Sequence, residues 1–189
     1  MRNMRRIYFA TGNPHKVEEA KLILKNYNVD LAHLNIQRVE IQSTDLAEIA
    51  TYSLNQIVKE FKQPVFVEDT GLFINSLNGF PGPFSSYVFK TLGNKGIIKL
   101  MKEETDRRAL FKTVIAFKES DKNTVKIFVG ETQGFIAEET RGVGWGYDPI
   151  FIPLEGDGRT YAEMSLEEKN MLSHRFKALK LLGESLRKV

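Results

Sequence analysis

Cysteine is absent from the 189-residue chain, and with it go disulfide frameworks, thiolate nucleophiles and cysteine-ligated zinc. Any nucleophile would have to be oxygen-based or water. Histidine is nearly as scarce: His15, His33 and His174 lie far apart and in no His-x-x-x-His spacing, so a transition-metal site is not expected. No apolar run approaches the ~20 residues of a membrane span. The segment from Met1 to Arg6 leads only into Ile7-Tyr8-Phe9-Ala10, which reads as a buried strand rather than a signal peptide. The expected setting is the cytoplasm, without membrane contact. A Gly-x-x-x-x-Gly-Lys-Ser/Thr phosphate loop and a Gly-x-Ser-x-Gly elbow are both missing, which argues against P-loop enzymes and serine hydrolases. There is no basic tail. The net charge of +3 and pI near 9.0 come from charges of both signs spread along the chain, a balance that suits a small anion in a local pocket and does not indicate a nucleic-acid platform.

What is present is a core. Hydrophobic residues make up 42% of the chain and aromatics 11%, including 13 Phe, enough apolar surface to offset the entropy of ordering. The length fits one domain over residues 1–189, divisible into two lobes around a cleft.

Arg5 to Ala10 reads as a strand, followed by a Thr11-Gly12-Asn13-Pro14 turn in which Asn13 caps a helix and Pro14 takes its first position. Val17, Ala20, Ile23, Leu24 and Tyr27 mark the core face of that helix. A second strand is predicted over Leu31 to Ile36. Asp45 and Glu48 resemble a capping pair for a second helix, with a stripe from Leu46 through Ile49, Leu54 and Ile57 to Val58 and Phe61, and Pro64 blocks its continuation. Val65-Phe66-Val67 predicts a short strand ending at Glu68-Asp69-Thr70-Gly71, with Gly71 permitting a tight turn. The breaker cluster Asn78 to Pro83 predicts an ordered loop before short helices over Ser85 to Leu92 and Lys95 to Lys102. Alternation at Ala109 to Phe117 and Val125 to Val129, around a Ser120 to Asn123 turn, predicts a hairpin. After the glycine-rich Arg141 to Asp148 segment come a short strand, Ile150 to Ile152, a Ser165/Glu168 capping box, and a terminal helix from Ser173-His174 with Phe176, Leu179, Leu182 and Leu186 on its apolar face.

Several of these segments could carry chemistry. Thr11 to Lys16 unites a strand-to-helix turn, exposed helix amides and a lysine, a set that suits phosphate; taken alone it is equally a helix cap with a solvated lysine. Glu68 and Asp69, with Glu40 further back, are carboxylates of the kind Mg²⁺ takes alongside phosphate oxygens and water, although adjacent acids are often merely solvated. Trp145 and Tyr147 among mobile glycines suit stacking on a purine, or simply a core. His174-Arg175 offers donors to a carbonyl oxygen or phosphate, or an ordinary surface pair.

Taken together the motifs resemble one family. Thr-Gly-Asn-Pro-His-Lys from Thr11, Glu-Ile-Gln from Glu40, Glu-Asp-Thr-Gly from Glu68, Gly-Phe-Pro-Gly-Pro from Gly79, Trp-Gly-Tyr-Asp from Trp145 and Ser-His-Arg from Ser173 occur in the order and spacing of the inosine triphosphate pyrophosphatases, from Ile7 to about Leu182. The resemblance implies an α/β fold with a long central mixed sheet flanked by helices, and two lobes enclosing a nucleotide cleft. It implies Mg²⁺-dependent hydrolysis of inosine, xanthosine and deoxyinosine triphosphates to the monophosphate and pyrophosphate, by a cytoplasmic homodimer. Carried over by position, Thr11, Gly12, Asn13, Pro14, His15 and Lys16 resemble the triphosphate loop and Glu40 and Asp69 the metal ligands. Asp69 also resembles the base that activates water, and Thr70 a substrate contact. Trp145, Gly146, Tyr147, Asp148, Lys169, His174 and Arg175 resemble the base-recognition wall, with Trp145 in the stacking position and Arg175 or nearby backbone amides as donors to the purine 6-oxo group. The chain departs from some relatives at Ser53 and at Ser85-Ser86, where they carry basic residues. Two other readings stay open: a pyrophosphatase for modified pyrimidine or guanine nucleotides, like the septum-inhibitor-like enzymes, and a non-catalytic nucleotide- or RNA-binding module.

Overall fold

A computed structural model describes residues 4–120 and 124–187. Met1 to Asn3, and Asp121, Lys122 and Asn123 of the expected turn, lie outside the described residues. Strand β1 (Arg5–Ala10) pairs in parallel with β2 (Val29–Leu34) from Arg5 opposite Val29 to Ala10 opposite Leu34, and with β3 (Val65–Ile74) through Tyr8 and Phe9. Parallel neighbours need crossovers, which α1 (Pro14–Lys25) and α2 (Leu46–Glu60) supply. A two-residue β4 (Pro81–Gly82) lies antiparallel on β3, and β7 (Phe151–Pro153) antiparallel on β6 (Val125–Ile136). With β5 (Arg108–Lys118) the order is β2-β1-β3-β5-β6-β7, a seven-stranded mixed sheet. The remaining helices are α3 (Ser85–Thr91), α4 (Gly93–Leu100), α5 (Leu166–Leu172) and α6 (His174–Arg187). The expected mixed α/β architecture is the one that forms.

The chain divides into two compact units. The first takes in residues up to Asp69, Thr113–Gly130 and those from Arg175 on; the second takes in Thr70–Lys112 and Glu131–His174. The core of the first gathers Ile7, Phe9, Leu24, Phe66, Phe117 and Leu182, with the Phe9 and Phe66 rings stacked at 4.4 Å. The core of the second gathers Leu72, Ile74, Ile97, Phe111, Phe151 and Tyr161.

Local signals explain most boundaries. The Asn13 side chain accepts a hydrogen bond from the His15 amide, which fixes the start of α1 with Pro14 at its first position. Asp45 caps α2 through the Ala47 amide; Glu48, expected to complete a capping pair, instead accepts from the Ser43 hydroxyl at 2.6 Å. The Ser165/Glu168 box closes reciprocally as expected, and a second one, Thr160 with Glu163, stands just ahead of it. The largest correction concerns β3. It runs ten residues rather than three, carrying Glu68 and Asp69 inside the strand instead of at its end. It continues because Leu72 and Phe73 pair with Gly82 and Pro81. Gly71 is therefore no turn glycine: a Cβ there would come within 2.7 Å of the Gly82 carbonyl oxygen, so its role is to admit a neighbouring backbone.

Gly183 in α6 answers a similar constraint. A Cβ at this site would lie 2.4 Å from Cγ of Tyr27, whose ring also has the Arg187 guanidinium 4.6 Å from its centroid. Gly183→Ala gains roughly 1 kcal/mol of helix propensity but forces the ring aside, an overpacking cost of about 1–3 kcal/mol. The expected result is a net loss of stability, read as a lower urea midpoint with unchanged slope.

Candidate functional site

In the first unit, two charged groups form around the acids of β3. Glu68 is fully buried and receives Arg175 through Nε at 2.9 and 3.1 Å and Nη2 at 2.9 Å, while Arg175 Nη1 reaches Glu19 of α1 at 2.5 Å. Lys16, in the first turn of α1, places Nζ 3.1 Å from Glu68 Oε1. Burial works against the Arg175 charge, yet Glu68 and Glu19 outweigh it and hold the guanidinium's pKa above its usual value. The result is a rigid support that aims Lys16 beside the start of α1. Thr11 Oγ1 accepts from the Asn13 amide, and the His33 ring contacts the Thr11 carbonyl at 2.7 Å, so the turn is braced from both sides. Gly12, Pro14 and His15 are exposed. An added Cβ at Gly12 would meet no protein atom within 4 Å, so no internal contact requires glycine there.

The second group joins Asp69 to Glu40 through Arg38. Nη2 of Arg38 lies 2.5 Å from Glu40 Oε1 and 3.0 Å from Asp69 Oδ1; Nη1 lies 3.2 Å from both Asp69 Oδ2 and the Glu68 carbonyl oxygen. Burial opposes the Arg38 charge, but Asp69, Glu40 and Glu68 raise its pKa above the ordinary arginine value. Because one nitrogen receives both carboxylates, Glu40 and Asp69 can converge on a single cation. Among the described residues no group of three acidic or histidine side chains is arranged for a metal, so an ion held by this pair would complete its shell with water or a bound anion. That donor set fits a hard divalent ion and not four-ligand structural zinc.

In the second unit, the segment ending at Asp148 is held from several directions. Lys169 of α5 bonds Asp148 at 2.6 Å, with both residues buried, and its ammonium stands 5.0 Å from the centroid of the half-buried Trp145 ring. The Asn94 amide donates to the Gly146 carbonyl at 3.0 Å, and Gly146 sits at φ 61°, a conformation glycine adopts without strain. His174 is buried, its ring stacked on Phe111 at 4.4 Å. Thr70 follows Asp69 within β3 and is half-buried.

Two expectations change. Tyr147 offers no stacking face: it is buried, its hydroxyl donates to the Ser85 carbonyl at 2.9 Å, its ring meets Phe89 edge-on, and burial raises its pKa. Arg175, expected to donate to a purine oxygen, is 1% exposed and turns its fork onto Glu68 and Glu19. At the departures from the family pattern, Ser85 ties the Leu72 amide to the Gly82 carbonyl, and Ser53 is fully buried with no hydrogen-bond partner for its hydroxyl among the described residues. Glu19 and Arg38 escaped the sequence reading. Glu19 had a signal, a charge on the helical stripe of Lys16, Ala20 and Ile23; Arg38 had none, since the segment after β2 has no periodicity.

Comparison with known proteins follows the same lines. The Ham1 family profile matches residues 7–185. A dITP/XTP pyrophosphatase of Methanopyrus kandleri is 49% identical over 180 residues, 95% of each chain. One of Saccharolobus solfataricus is 48% identical over 177 residues, covering 93% of this chain and 91% of its own. Among solved structures, a HAM1 protein from Coxiella burnetii superposes with a TM-score of 0.85 at 30% identity, covering 98% of this chain and 100% of its own. The Staphylococcus aureus Ham1 protein gives 0.82 at 29%, covering 97% and 99%.

Proposed function

Because the chain belongs to the Ham1 family, we propose that it hydrolyses deaminated purine nucleoside triphosphates, those of inosine, deoxyinosine and xanthosine, to the monophosphate and pyrophosphate, with Mg²⁺ as cofactor. The observation that carries this reading is the gathering, in one unit, of a capped helix start, Lys16 supported on Glu68, and two carboxylates that meet at one point. Mg²⁺ bound by Glu40 and Asp69 would neutralise phosphate charge and acidify a bound water. Thr11 to Lys16 would hold the phosphate tail through the amides at the start of α1 and the Lys16 ammonium. The open space at the Gly12 Cβ position leaves a phosphate room to approach the backbone. Asp69 orients and deprotonates the attacking water. Arg175 is a positioning residue: it holds Glu68, and Glu68 holds Lys16.

Base choice falls to Asp148 and Lys169, which set an acceptor beside a donor, the complement of the N1–H and 6-oxo edge of hypoxanthine and xanthine. Adenine reverses that order and would leave both protein groups mispaired. Thr70, Gly146, Tyr147 and His174 shape this wall, and Trp145 stacks on the base. The resemblance to the inosine triphosphate pyrophosphatases supports reading the enzyme as a cytoplasmic homodimer.

The test is incubation with Mg²⁺ and a panel of inosine, xanthosine, adenosine, guanosine and modified pyrimidine triphosphates. The expected products are inosine monophosphate and pyrophosphate, with ATP turned over at least about 10²-fold more slowly. Orthophosphate as the first product, or ATP hydrolysed as fast as inosine triphosphate, overturns the reading. A preference for modified pyrimidines would move the enzyme to another substrate class, and salt-sensitive RNA binding without turnover would remove it from enzymes.

A further inference from the structure

We propose that Arg38 is a resident cation of the metal site: it clamps Glu40 and Asp69 together while no divalent ion is bound, and its displacement sets the affinity for that ion. The proposal rests on the assignment of Glu40 and Asp69 as metal ligands given above. Its ground is geometric. A single nitrogen, Nη2, holds both carboxylates, at 2.5 and 3.0 Å, so it stands where their charges converge. The Arg38 and Asp69 side chains are only 11% and 12% exposed, so their bond is poorly screened by water. A guanidinium does not lose its proton in a protein; the position is vacated by movement alone. The bond from Nη1 to the Glu68 carbonyl is independent of either carboxylate side chain. It gives the arginine an anchor about which to swing rather than a reason to leave.

Two consequences act in the same direction. A site that must first expel its own cation binds metal with an apparent dissociation constant equal to the intrinsic one divided by the fraction of molecules in which the arginine has swung away. The arginine also offsets one of the two negative charges that would attract the ion. The opposite effect, in which Arg38 merely preorganises the carboxylates, would make its removal weaken binding, so the sign of the change separates the two.

The experiment is a Mn²⁺ titration of nucleotide-free protein, followed by the loss of free-ion EPR signal, on wild type, Arg38→Gln, Arg38→Lys and Asp69→Asn. Arg38→Gln should bind about tenfold more tightly than wild type, the scale of a charge-assisted bond. Arg38→Lys should fall between them, because an ammonium lacks the fork that engages both acids. Unchanged or weaker binding by Arg38→Gln, with binding lost in Asp69→Asn, overturns the role of Arg38 and leaves the metal assignment standing. Wild-type binding by Asp69→Asn sinks the assignment itself. If Arg38→Gln does not fold, Arg38→Lys decides, and affinity equal to or below wild type refutes the clamp.

Discussion

Asp69→Asn is expected to lower kcat for inosine triphosphate by about 10³-fold, within the range for loss of a positioned base, with the substrate KM changed far less. Asparagine keeps the shape of the side chain and its packing in β3, so the fold has no cause to change. What it removes is one of the two charges converging on Arg38 Nη2 and the group assigned to take the proton from water. Glu40 provides the contrast. Its side chain is 53% exposed and accepts a hydrogen bond from Arg38, so Glu40→Gln removes a ligand without removing the base. Its turnover should recover in part as Mg²⁺ is raised, whereas Asp69→Asn should stay low at saturating metal. Steady-state kinetics over a Mg²⁺ series measures both. Full turnover by Asp69→Asn, or recovery equal to that of Glu40→Gln, would show that Asp69 is a ligand at most.

The different fates of these residues show what a sequence can express. The capped turn at Asn13-Pro14 and the Ser165 box are local: each depends on residues within a single turn, and each forms as the sequence predicts. The apolar pattern ends β3 too early because its second half is held by pairing with Gly82 and Pro81, a short return across the Asn78-Gly79 turn that the pattern along the strand itself does not express. Arg175 was misassigned for a related reason. Next to a histidine at a helix start it has the look of a surface donor, and only the fold brings it to Glu68, 107 residues earlier, and Glu19, 156 residues earlier. Arg38 shows the further limit, since an arginine in an irregular segment acquires meaning only from the acids that tertiary structure sets around it. Sequence thus located the chemical groups of the candidate site, while their pairing, which decides which charge is available and which is committed, is a property of the packed chain.

That commitment leads to the second large effect: Arg175→Met should cost about 3–5 kcal/mol, the usual result of breaking one side of a buried ion network. Domains are typically stable by roughly 5–15 kcal/mol, so the variant should be marginal. Arg175 itself does not titrate in the accessible range: its folded pKa lies above the unfolded one, so its contribution is fully present below the unfolded value and is lost only as pH rises beyond it, outside the range in which the protein is handled. The pH dependence of the variant must come from Glu68 and Glu19, which lose the guanidinium while Glu68 keeps Lys16 at 3.1 Å. Without the guanidinium, burial favours the neutral form of Glu68 and Glu19 and raises their folded pKa above the unfolded value of about 4.3. The penalty is then complete above the raised folded pKa and shrinks as pH falls towards 4.3, so the gap between wild type and variant in urea unfolding should narrow on mild acidification. A gap independent of pH would mean that Arg175 contributes packing and not charge. Replacing Glu19 and Glu68 by glutamine together with Arg175→Met removes the buried charges and should regain much of the stability. It also removes the carboxylate that holds Lys16 at 3.1 Å. A triple variant that folds well but binds inosine triphosphate poorly would therefore separate the two duties of the network, and would show that its charges are retained to aim a lysine at phosphate rather than to hold the chain together.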